Sequence, residues 1–140
     1  MKWNTLTTTS LIAAVLMTLH VTDDIVRGIS PPSVALLSNV IGPLIFVVWL
    51  IGPLTLAERR SGLVIMLLGG VFAAAMPVLH MRGSGYLEIV ASDGGFFFVW
   101  TLYAVGITGA LSIILAARSL WLSRTGSRSV EQTLSAKNRG

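Results

Sequence analysis

The stretch Thr5-Leu-Thr-Thr-Thr-Ser10-Leu-Ile-Ala-Ala-Val15-Leu-Met-Thr-Leu-His20-Val-Thr-Asp23-Asp24-Ile-Val26 decides the fold. At about 1.5 Å of rise per residue it makes a helix roughly 33 Å long, enough to cross the ~30 Å hydrocarbon core of a bilayer. A lysine, Lys2, precedes it, and Thr18-Leu-His20-Val-Thr22 offers no small-x-small cleavage site. The segment is therefore expected to stay as a first span rather than leave as a signal peptide. Near its far end His20, Asp23, Asp24 and Arg27 fall on one helical stripe about 100° wide. An imidazole, two carboxylates and a guanidinium at the edge of lipid are costly unless they pair, meet water or hold a ligand. That stripe is the first candidate for a working site.

Composition agrees with a lipid environment. Of 140 residues 54% are hydrophobic and 11% charged, with a mean hydropathy of +0.80, whereas soluble domains carry about a quarter charged residues. The absence of cysteine excludes disulfides, thiolate catalysis, Cys-ligated zinc and iron–sulfur clusters. The net charge of +4 is accounted for by basic flanks of spans, so no nucleic-acid partner is expected.

Three further apolar segments follow. A connector, Gly28 to Ser33, contains Ser30-Pro31, which reads as a helix start, and the second span is expected over 32–56. Its internal echo, Ile41-Gly-Pro-Leu44 and Ile51-Gly-Pro-Leu54, predicts a kink near Pro43 and another near Pro53. The short turn Glu58-Arg59-Arg60-Ser61-Gly62 leads to a third span, 63–80, antiparallel to the second. In that span Gly69, Gly70, Ala73 and Ala74 make overlapping small-xxx-small pairs. The connector Met81 to Gly95 is glycine-rich, with Leu87 to Val90 as a brief extended or interfacial piece. A fourth span over 96–120 opens on Phe96-Phe97-Phe98-Val99-Trp100 and has a small-residue face at Gly106, Gly109 and Ala110. The sequence thus predicts an all-α, four-helix transmembrane bundle of antiparallel, up-down topology over 1–120. The basic, serine-rich tail over 121–140 reads as disordered.

With four spans, both termini and the Glu58–Ser61 turn share one side. That side holds eight of the ten basic residues, Arg59, Arg60, Arg118 and Arg124 among them, and two of the six acids. The positive-inside rule makes it cytoplasmic, in a bacterial-type cell membrane. Both histidines then lie at the extracytoplasmic face with most of the acids.

The candidate ligand-binding set there is His20, Asp23, Asp24, Arg27, His80, Arg82, Glu88 and Asp93. Within it His20, Asp24, His80 and Glu88 are the residue types that hold a divalent metal. The favoured function is non-enzymatic: binding a small ligand or ion, or serving as an accessory subunit of a larger membrane complex or homo-oligomer. Three alternatives use the same residues. One is a metal-dependent hydrolase with Asp23 or Glu88 as base. Another is a haem protein ligated by both histidines. The last is a proton-coupled small-solute transporter acting as an oligomer.

Overall fold

The computed structural model describes residues 4–28, 40–82 and 85–137, with side chains through 123. The chain forms α1 (Thr5–Val26), α2 (Gly42–Thr55), α3 (Arg60–Met81), α4 (Tyr86–Ala91) and α5 (Gly95–Lys137), with no strand among the described residues. Asn4 caps α1, its Oδ1 accepting from the Thr7 amide at 2.8 Å, which satisfies one donor that the first turn leaves over.

Among the described residues three helices are long and apolar enough to cross a membrane: Thr5–Val26, Arg60–Met81 and Gly95–Ser123. The fourth apolar helix, α2, has 14 residues, about 21 Å and short of a full crossing. Residues 29–39, which include most of the first third of the expected second span and the Ser30-Pro31 start, lie outside the described residues. Only 28% of the apolar stretch of α3 and 33% of that of α5 is buried inside the protein. The outward residues, including Leu68, Val71, Ile107 and Ile114, are still apolar. An apolar surface so continuous is one that lipid solvates and water does not.

Side-chain contacts set the helix directions. Leu6 near the start of α1, Met66 near the start of α3 and Ala116 far along α5 pack together. At the opposite end His20 meets Thr101 and Asp24 meets His80. So α1 and α3 run parallel and α5 runs against both. Gly52 of α2 lies beside Ile65 of α3, and Trp49 of α2 beside Gly69, which makes α2 antiparallel to α3 as the short turn implies. The core between them is Ala13, Ala14 and Met17 of α1, Trp49 of α2, Ala73 and Met76 of α3, and Phe98, Leu102 and Val105 of α5.

The small residues work inside the chain. A Cβ at Gly109 would lie 2.6 Å from the Ala74 amide nitrogen and 2.8 Å from the Gly70 carbonyl oxygen, so α3 and α5 approach backbone to backbone. Within this close packing buried hydroxyls find partners: Ser112 Oγ donates to the Met66 carbonyl at 3.3 Å, and Trp49 Nε1 donates to Ser10 Oγ at 3.1 Å. Trp49→Phe, which removes that donor, is expected to lower stability by about 1 kcal/mol, read as a shift in the unfolding midpoint.

One sequence expectation is corrected. Leu87 to Val90 is helical, part of α4, and not extended. A π-helical turn at Val40 and Ile41 precedes Pro43 at the start of α2, and Pro53 lies inside α2. The backbone of α5 runs on as helix to Lys137.

Candidate cation site

The deep part of the site is built by one face of α1 and the ends of α3 and α5. His20 and Asp24, one turn apart on α1, are both buried. His80 projects from the last turn of α3 and Phe98 from the start of α5. The two imidazoles meet edge to face with ring centres 5.0 Å apart, and Phe98 packs on both at 5.0 and 5.7 Å. Tyr86 of α4 rests against the Phe98 ring from outside at 6.4 Å. His20 is sealed, with its side chain 0% exposed, while Asp24 and His80 retain 11% and 17%. The cluster therefore opens toward the rim of the bundle on the His80 side.

Hydrogen-bond chemistry fixes the orientation of both rings. Thr101 Oγ1 has one proton, which it directs to the backbone carbonyls of Phe97 (2.9 Å) and Phe98 (3.0 Å). With that proton on a carbonyl, the hydroxyl accepts from an Nδ1–H of His20, 3.0 Å away, the tautomer in which Nε2 is bare. The Met76 carbonyl, 3.1 Å from His80 Nδ1, likewise accepts from an Nδ1–H. Each Nε2 is then left to face Asp24. His80 Nε2 stands 3.0 Å from Asp24 Oδ2, and His20 Nε2 stands 3.9 Å from Asp24 Oδ1. Among the described residues His20 Nε2 and Asp24 Oδ1 are buried without any hydrogen-bond partner. Ligand atoms of the three residues lie within 4.8 Å of one another.

Beside this cluster lies a polar strap. Arg27 Nε donates to Asp23 Oδ2 at 2.8 Å, and its Nη1 donates to Ser92 Oγ at 3.1 Å and to the Asp93 carbonyl at 3.0 Å. One guanidinium thus ties the end of α1 to the turn between α4 and α5. The turn needs Gly94, whose φ is +76° and whose Cβ would stand 2.5 Å from Arg27 Nη2. Gly94→Ala is expected to displace the guanidinium and to cost about 1–2 kcal/mol for the left-handed backbone alone, measured as a loss in unfolding free energy.

Of the eight residues singled out from the sequence, His20, Asp24 and His80 converge. Asp23 and Arg27 are engaged in the strap, and Asp93 contributes its carbonyl while its side chain is exposed. Arg82 is exposed at the C-cap of α3. Glu88, expected as a fourth metal ligand, is exposed on α4 in a shallow depression with Arg27, Ile89 and Ser92, outside the group of three. Sequence reasoning missed Thr101, Phe98 and the Met76 carbonyl as partners of the histidines. Thr101 had a signal: it is three residues from Phe98 and four from Val105, which places a hydroxyl on the buried face of an apolar helix.

The arrangement bears on the haem expectation as well. The imidazoles touch each other and a shared phenyl ring, so no slot separates them in which a macrocycle would lie. What they can do is present bare nitrogens and carboxylate oxygens to one small positive charge. Comparison with family models, with curated proteins and with solved structures gives no match, and the functional reading rests on this site alone.

Proposed function

We propose that the protein is a small integral membrane protein that binds a cation at the His20–Asp24–His80 cluster, as a binding or accessory component and not as an enzyme. The observation that carries this is a pair of orphaned atoms. Among the described residues buried His20 Nε2 and Asp24 Oδ1, 3.9 Å apart, have no hydrogen-bond partner, and His80 Nε2 stands 3.0 Å from the other oxygen of the same carboxylate. Buried polar atoms left without partners are costly, and one cation among the three side chains would satisfy both. A hydrolase fits less well, because Asp23 is held by Arg27 and Glu88 is outside the cluster, so no free base stands beside the ion.

In this reading the chain crosses a bacterial-type cell membrane four times, the second time through the apolar segment that contains α2. Both termini are cytoplasmic. Support comes from Arg59, Arg60 and Arg118, at the end of the bundle remote from the histidines. Reporter fusions after residue 60 and after residue 91 should then report opposite sides.

Equilibrium dialysis of the purified full chain against a panel of monovalent and divalent ions, followed by elemental analysis, tests the binding. One equivalent of one ion is expected, with none retained by a His20→Leu, His80→Leu double variant. Uptake should weaken toward acid pH, because ligating imidazoles must be unprotonated. No retained ion, or equal retention by the variant, refutes the proposal.

A further inference from the structure

We infer that the ion is a first-row divalent transition metal held by His20 Nε2, His80 Nε2 and Asp24, and that Thr101 is the positioning residue that presents His20 to it. The inference rests on the cation-site reading and narrows it.

A proton is the first rival. One proton between His80 Nε2 and Asp24 Oδ2, 3.0 Å apart, makes an ordinary hydrogen bond. It leaves His20 Nε2 and Asp24 Oδ1 bare in the buried interior, and their separation of 3.9 Å is too long for a second shared proton. That distance is within the sum of two metal–ligand bonds of about 2.0–2.2 Å each. A single ion thus satisfies both orphaned atoms together with His80. The donor set then decides the class. Two imidazoles and one carboxylate suit zinc, cobalt, nickel or copper(II), whereas calcium and magnesium take oxygen ligands. The backing of each ring has the form of a ligating histidine's outer shell, with the far N–H donated to a fixed acceptor that sets the tautomer and the ring plane. For His80 that acceptor is the Met76 backbone carbonyl, which no side-chain substitution removes. For His20 it is the Thr101 hydroxyl, itself anchored on two carbonyls. With three protein ligands and partial exposure at Asp24 and His80, a fourth position remains open toward the rim.

The test is titration of Co2+ into the purified full chain, read by its visible d–d absorption, with Mg2+ and Ca2+ in excess as competitors. The parent, Thr101→Val and Thr101→Ser are compared. A one-to-one cobalt spectrum insensitive to Mg2+ and Ca2+ is expected. Thr101→Val should weaken apparent affinity about 10–100-fold, the usual effect of losing an outer-shell partner. Thr101→Ser, which keeps the hydroxyl, should stay within a few-fold of the parent. Imidazole 15N spectra of the metal-free proteins should show the His20 Nδ1–H form dominant in the parent and in Thr101→Ser and depleted in Thr101→Val. If valine prevents folding, Thr101→Ala takes its place. Displacement of Co2+ by Mg2+ or Ca2+ overturns the metal class while leaving the cation reading standing. Parent-like affinity and tautomer in Thr101→Val overturn the role of Thr101. Failure of every ion in the panel to bind overturns both.

Discussion

His20→Leu is expected to abolish cation-dependent stabilisation while leaving the ion-free protein as stable as the parent, or about 1 kcal/mol more stable. The usual expectation for replacing a fully buried residue is a loss. Here the residue brings an unpartnered Nε2 into the interior, and an unsatisfied buried polar atom costs about 1–3 kcal/mol. Leucine has similar bulk and no such atom. Thr101 keeps its two carbonyl partners when the ring is gone, so no new orphan arises. In the parent, ion at a hundredfold excess over its Kd should add about 2.7 kcal/mol to the unfolding free energy; in His20→Leu it should add nothing. Thermal unfolding with and without added Zn2+ measures both halves. A variant that loses several kcal/mol without ion, beside a parent indifferent to ion, would mark the cluster as scaffold.

Gly109→Leu should damage the α3–α5 packing severely, with a loss at or above the ~3 kcal/mol upper end of overpacking costs. The side chain would start 2.6 Å from the Ala74 amide nitrogen and 2.8 Å from the Gly70 carbonyl oxygen. Those are backbone atoms of α3, which cannot turn aside as a flexible side chain would. The helices must separate, and α5 carries Thr101 and Phe98 with it, so the cation site should loosen in the same variant. Ala110→Leu is the control: Ala110 is exposed on the adjoining face, and the substitution should stay within about 0.5 kcal/mol of the parent. The ratio of unfolding midpoints for the two variants checks the assignment of inner and outer faces of α5.

Much of this structure is legible in the sequence, and the parts that are not have physical reasons. The first helix could be read to its ends because its apolar run is bounded by Asn4 and by the polar His20 to Arg27 stripe. The third and fourth were readable from hydropathy, and their small-residue faces marked close packing without telling which helices meet. At the site, His20 with Asp24 followed from one-turn spacing on a single helix, and His80 from its matching depth. Glu88 was misplaced because a short helix between glycine-rich turns has no register readable from spacing. Thr101 and the Met76 carbonyl were hidden because the first matters through rotation of α5 about its axis, and the second is a backbone group that no residue type announces.

The most direct measurement uses the scarcity of histidine. The chain has two, so a histidine-labelled 15N spectrum contains four ring nitrogens, all from this cluster. Addition of one equivalent of Zn2+ should shift both Nε2 signals together and leave both Nδ1 atoms protonated. If all four signals stay in place on addition of Zn2+ and of every other ion in the dialysis panel, His20 and His80 do not converge on a cation and the account is wrong.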